Sequence, residues 1–103
     1  MPDPKLNEII DRILQVMTPE KIILFGSRAR GDQKETSDYD LLVVKSSTES
    51  DWTIEKALYK NFIDLGVPVD VLLTTPEKLE KHKDTVGYVY KDALKYGKVV
   101  YGY

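Results

Sequence analysis

The chain has 103 residues, no cysteine and a formal charge of −2 from fifteen basic and seventeen acidic residues. That length is one domain able to bury a single core without disulfides or a structural metal, and the missing cysteines exclude a disulfide framework, a thiol nucleophile and a zinc–thiolate cluster. The charge balance leaves no broad basic field for a long nucleic acid, no apolar run is long enough for a bilayer, and Met1-Pro2-Asp3-Pro4 lacks the basic-then-apolar order of a signal peptide, so the cytoplasm is the expected compartment.

Asp3 can cap a helix with Pro4 at its first position, and Leu6, Ile9, Ile10, Ile13, Leu14 and Met17 follow at helical spacing until Thr18-Pro19 ends the run. Residues 21–25 are short, apolar and isoleucine-rich and predict a strand that delivers Gly26 and Ser27 to a turn. A short helix over about 27–31 and a polar loop over 32–37 follow. Tyr39-Asp40-Leu41-Leu42-Val43-Val44 predicts a second strand with acids at its opening.

Residues 46–51 read as a loop and cap. Trp52, Ile54, Ala57, Leu58, Phe62 and Leu65 form the next helical stripe, with Gly66 as its C-cap. A third strand is expected over 67–73, at an edge or with its start at Pro68, because proline cannot donate to a central ladder. Thr75-Pro76 begins another helical segment, continued after Asp84 by Val86, Val89, Tyr90, Ala93 and Leu94 and closed by Gly97, and Val99-Val100-Tyr101 predicts a last brief strand. Helices alternating with strands imply an α+β (α/β-like) layer, a small mixed sheet with helices packed on one face, in a single domain over 1–103.

The chemistry concentrates between Gly26 and Asp40. A Gly-Ser turn after an apolar strand can bring backbone N–H groups close to phosphate, although alone such a pair is usually a kink and a helix cap. Two of the three arginines, Arg28 and Arg30, fall within Gly26-Ser27-Arg28-Ala29-Arg30-Gly31, and the guanidinium fork suits phosphate oxygens. Asp38 and Asp40 lie i, i+2 and share a strand face with Leu42 and Val44, while Tyr39, Leu41 and Val43 take the other. Adjacent carboxylates repel unless a cation lies between them. Asp70, flanked by Val69 and Val71, carries a desolvation cost; pairing with a lysine would answer it. If its strand lies beside the second, Asp70 instead joins Asp38 and Asp40 in a hard-oxygen set of the kind Mg²⁺ prefers.

These residues, Gly26-Ser27, Arg28-Ala29-Arg30-Gly31, Ser37-Asp38-Tyr39-Asp40 and Asp70, resemble the GS…DxD…D pattern of the DNA polymerase β-type nucleotidyltransferase superfamily, over nearly the whole chain. The short chain and its GSxARG form are most similar to the minimal nucleotidyltransferases (MNT, MntA-type) that act as antitoxins of HEPN-domain toxins. The resemblance implies that Gly26 and Ser27 hold the β- and γ-phosphates of ATP and that Arg28 or Arg30 neutralises their charge. Asp38, Asp40 and Asp70 would ligate two Mg²⁺ ions, Asp70 also helping to deprotonate the acceptor. It further implies AMP transfer to a hydroxyl of the HEPN toxin, a tyrosine, as a type VII antitoxin. The larger enzymes carry a helical domain for the acceptor that this sequence lacks, so a partner protein is expected to supply it. An antitoxin that neutralises by binding alone and a small-molecule, antibiotic-type nucleotidyltransferase are the rival readings, and the residues leave a homo-oligomer open.

Elsewhere plainer roles are expected. His82 reads as solvated surface, and Trp52 as an anchor of its helix against the sheet. Among the tyrosines at 88, 90, 96, 101 and 103, Tyr90 is expected to pack and Tyr103 to face a partner.

Overall fold

A computed structural model describes residues 3–32, 37–46 and 49–102. Helix α1 spans Pro4–Val16, with the Asp3 carboxylate accepting from the Leu6 N–H at 3.1 Å and Pro4 in the first turn. Strand β1 (Lys21–Phe25) runs into the one-turn helix α2 (Ser27–Arg30), and β2 (Tyr39–Val44) returns antiparallel to β1. Helix α3 (Asp51–Asn61), capped by Ser50, crosses to β3 (Val69–Thr74), which pairs with β2 in parallel. Helices α4 (Pro76–His82) and α5 (Tyr90–Tyr96) lead to β4 (Lys98–Gly102), antiparallel to β1. The sheet is mixed, in the order β3-β2-β1-β4, so β3, just after Pro68, is the edge strand its proline predicts.

Alternation along the strands divides the core in two. Ile22, Leu24, Tyr39, Leu41, Val43, Val69, Val71 and Leu73 face α1 and α3, where Ile9, Ile13, Ile54 and Leu58 close the main cluster. Ile23 and Leu42 turn the other way, onto Tyr90 and Ala93 of α5 with Leu79 of α4 alongside. Helices therefore cover both faces, and the expectation of one face holds only for α1 and α3. The second layer is thin: Leu72 is 39% exposed on it, and the opening of that face carries the polar chemistry.

Other departures have local causes. Of the stripe expected to run helical to Leu65, Ile54, Leu58, Phe62 and Leu65 are buried, but after Asn61 the chain tightens into turns, Phe62 N–H to Tyr59 O at 3.2 Å and Leu65 N–H to Phe62 O at 3.1 Å. The single helical segment expected from Pro76 to Gly97 is two helices, because Thr85 and Tyr88 close turns onto His82 and Thr85 and Gly87 takes φ +91°. Trp52 is 69% exposed and lies under the Lys56 ammonium, so it does not anchor α3; Ile54 and Leu58 do. His82 is half-buried, its ring stacked on Tyr88 with centroids 4.3 Å apart. Tyr90 is buried as expected, whereas Tyr103 lies outside the described residues, as do 33–36 and 47–48 of the two expected loops. Among the described residues no helix is long and apolar enough to cross a membrane.

Candidate active site

Register brings the sequence-selected residues together. Antiparallel pairing places Phe25 opposite Asp40, so Gly26 leaves β1 directly over the Asp40 side chain. Parallel pairing places Asp70 opposite Asp40 on the neighbouring strand. Asp38 precedes β2, and one carboxylate oxygen of each of Asp38, Asp40 and Asp70 lies within 4.8 Å of the others. Asp38 and Asp70 are exposed and Asp40 is half-buried. The third carboxylate is an edge-strand residue with β2 beside it, and no lysine pairs with it among the described residues.

Gly26 takes φ +77° and ψ −157°, a region open essentially to glycine alone. A Cβ there would collide with Oδ2 of Asp40. The same glycine thus makes the turn and lets the carboxylate approach the backbone. Ala29 and Arg30 donate to the Gly26 carbonyl at 3.1 Å, and the left-handed Gly31 (φ +84°) ends α2. The first N–H groups of a helix have no intrahelical acceptor, and at α2 they include that of Ser27, the residue after the glycine seated on Asp40.

The two arginines of the turn diverge. The positive charge of Arg30 acts on Asp40, and its Nε lies 3.5 Å from Asp32. Arg28 points to the other side of β2: its Nε and Nη2 donate to the Ser37 carbonyl at 3.1 and 2.9 Å, and its guanidinium lies 3.9 Å over the Tyr39 ring. Tyr39 is buried, and its hydroxyl donates to Asp3 at 2.9 Å. The Tyr39 link is invisible to a reading that sorts residues by face, since Tyr39 lies opposite the acids; the one available signal is an aromatic residue between two carboxylates beside an Arg-rich turn.

Burial and neighbouring charge together raise two carboxyls of the cluster. Burial, then Asp70 and Asp38, push the Asp40 carboxyl above its ordinary 3.8, against the pull of Arg30. Asp70 is raised by burial and then by its hydrogen bond to Asp38 and that residue's charge. A carboxyl raised by folding binds its proton more tightly folded than unfolded, so both groups favour the fold as pH falls from the raised values toward 3.8. Asp64, lowered by its 2.7 Å bond to Arg12, has the opposite sign: its stabilisation is complete above 3.8 and is lost as pH falls through the folded value. Metal-free Asp40→Asn is therefore expected to lose more stability than the wild type on acidification from neutral pH toward 4, because the opposing Asp40 contribution is gone. Equal losses in parallel melting curves would show that Asp40 is not raised.

The three carboxylates suit a divalent cation on donor chemistry alone: hard oxygens from two neighbouring strands, β2 with the residue before it and β3, converging on one point. Beside them Leu72, two residues along β3 on the Asp70 face, floors a cleft of about 320 Å³ with Lys78, Tyr88 and Tyr90. A second cavity, about 370 Å³ between Glu20, Val44, Leu79 and Leu94, opens at the far end of this face, where β1 begins and β2 ends.

A glycine turn closed on a carboxylate thus stands beside two further carboxylates on a mixed sheet between helical layers. Residues 4–100 match the nucleotidyltransferase domain model, and the chain belongs to that family and is a nucleotidyltransferase. It is 34% identical over 82 residues to "Putative protein adenylyltransferase MJ0604" of Methanocaldococcus jannaschii, over 80% of this chain and 78% of that protein. A second protein of that organism with the same description, MJ0435, is 37% identical over 70 residues, 65% of this chain and 75% of that protein. A crystal structure of a toxin–antitoxin with AMP-PNP shares the fold at TM-score 0.69 and 22% identity, over 98% of this chain and 75% of that one. A Sulfolobus solfataricus crystal structure does so at 0.60 and 27%, over 95% and 78%.

Proposed function

We propose that this single domain transfers AMP from ATP to a hydroxyl of a partner protein and thereby acts as the antitoxin of a HEPN-type toxin. The observation that carries the reading is the seat of Asp40: its carboxylate lies under Gly26 and opposite Asp70, so the phosphate turn and the carboxylate cluster form one site. The adenylyltransferase names of the two archaeal relatives and the AMP-PNP in the toxin–antitoxin neighbour support the nucleotide and the transfer.

Gly26 and Ser27 present backbone N–H groups to the terminal phosphates, and Arg30, the cation acting on Asp40, neutralises their charge. Asp38, Asp40 and Asp70 would hold Mg²⁺, with two ions fitting three carboxylates. Such ions, once bound, activate the attacking hydroxyl and stabilise the leaving pyrophosphate. Asp70 lies on the edge strand, farthest from the phosphate turn, and its raised carboxyl suits it to take the acceptor proton on a carboxylate oxygen. The acceptor oxygen bonds to the α-phosphorus, and the bond from that phosphorus to the α,β-bridging oxygen breaks, its electron pair leaving with pyrophosphate. The cleft over Leu72 opens beside Asp70 and gives the acceptor segment an approach from the edge.

The test is intact-mass spectrometry of a HEPN-type protein encoded beside this one, carrying Arg-x₄-His, after incubation with this chain, ATP and Mg²⁺. A gain of one or more AMP units that is lost with Asp38→Asn is the expected result. A tightly bound but unmodified partner would replace transfer by neutralisation through contact, and transfer only to small hydroxyl compounds would favour the antibiotic-type enzyme.

A further inference from the structure

We propose that Arg28 is a positioning residue for the Asp38–Asp40 pair and not a ligand of the nucleotide phosphates; this rests on the reading that those carboxylates hold a divalent cation. Its guanidinium engages both neighbours of Asp38. Two of its N–H groups converge on the carbonyl of Ser37, and its plane covers the ring of Tyr39. Both ends of that hold are themselves fixed. Arg28 belongs to α2, whose first turn starts at the glycine seated on Asp40. Tyr39 is buried, its N–H donates to Pro68 O at 3.0 Å, and its hydroxyl donates to the Asp3 carboxylate that caps α1. Asp38 is exposed and lies before the ladder of β2, so strand pairing does not define its backbone as it does that of Asp40. A side chain that holds the residue before and the residue after it supplies the missing restraint.

The chemistry favours this use of arginine. A planar fork can give two N–H groups to one carbonyl while its face lies on an aromatic ring, and a lysine ammonium cannot do both. Charge alone would not require that geometry. Arg30, four-residue helix and all, offers the contrast: it is the arginine whose charge reaches Asp40.

The test compares Arg28→Lys with Arg30→Lys in two titrations. One follows Mn²⁺ binding by loss of the free-ion electron paramagnetic resonance signal without nucleotide; the other follows a fluorescent ATP analogue in EDTA. Arg28→Lys is expected to weaken Mn²⁺ binding by about tenfold or more, as loss of a group that orients a metal ligand does, with the analogue bound as in the wild type. Arg30→Lys should keep its Mn²⁺ affinity. Tyr39→Phe, which keeps the ring under the guanidinium and cuts only the hydroxyl's tie to Asp3, should weaken Mn²⁺ binding less than Arg28→Lys does. Unchanged Mn²⁺ binding with weakened analogue binding in Arg28→Lys would make Arg28 a phosphate ligand and overturn the proposal. Loss of cooperative melting in that variant would overturn it in favour of a general structural role. A wild-type protein that binds no Mn²⁺ would instead sink the cation reading on which it stands.

Discussion

Replacing Asp40 by asparagine is expected to cut nucleotidyl transfer by about three orders of magnitude or more, the scale on which removal of a preorganised charged group acts, while the metal-free domain melts at a higher temperature. The two effects have one origin. Asp40 is half-buried beneath Gly26, opposite Asp70 and near Asp38, and its carboxyl is raised first by burial and then by those two charges. Its ionised form is thus a cost to the fold at neutral pH that a bound cation relieves. Asparagine keeps the shape and removes the charge, so the cost and the cation site go together. Mg²⁺ at a hundredfold excess over its dissociation constant should stabilise the wild type by about 2.7 kcal/mol, and the variant by much less. Calorimetric melts with and without Mg²⁺, beside a transfer assay with labelled ATP, check both halves. A variant that keeps wild-type transfer, or that gains the same Mg²⁺ shift, would remove Asp40 from the site.

Much of the arrangement is legible in sequence because it depends on short-range rules. Strand alternation puts Asp38, Asp40 and Leu42 on one face, and the isoleucine run before Gly26 marks the strand that ends at the turn. Capping residues locate the helices: Asp3, Ser50 and Thr75 each accept from the N–H three residues on. What cannot be read locally is which strands are neighbours. The Asp40–Asp70 register depends on the parallel crossover through α3, and the sequence offers it only as a condition. The second helical layer is missed for a related reason. Among the described residues only Ile23, Leu42 and Val44 turn a buried apolar side chain toward it, so the stripe on α5 has little matching signal in the strands. The divergence of Arg28 and Arg30 is harder still, because residues two apart on a one-turn helix differ in direction by more than composition can report.

Gly26→Ala is the substitution expected to damage fold and activity together. Its backbone lies in a conformation that costs a residue with a Cβ about 1–3 kcal/mol, and the new methyl would meet Oδ2 of Asp40. Two responses are open to the chain. The turn can relax toward negative φ, which moves the first N–H groups of α2, or the Asp40 carboxylate can swing away, which breaks its convergence with Asp38 and Asp70. Either loses the junction between phosphate donors and carboxylates, so transfer should fall about a hundredfold or more, since small misplacement in a site is that costly. Gly31→Ala separates the contributions. Gly31 also has positive φ, +84°, but a Cβ there meets nothing within 4 Å and it lies at the far end of α2. It should cost only about 1 kcal/mol of stability, the price of the left-handed conformation, and leave transfer near the wild-type rate. Melting curves and initial rates on the two variants decide the matter: equal losses of activity would trace the damage to strain in α2 alone, whereas a loss confined to Gly26→Ala would trace it to the contact with Asp40.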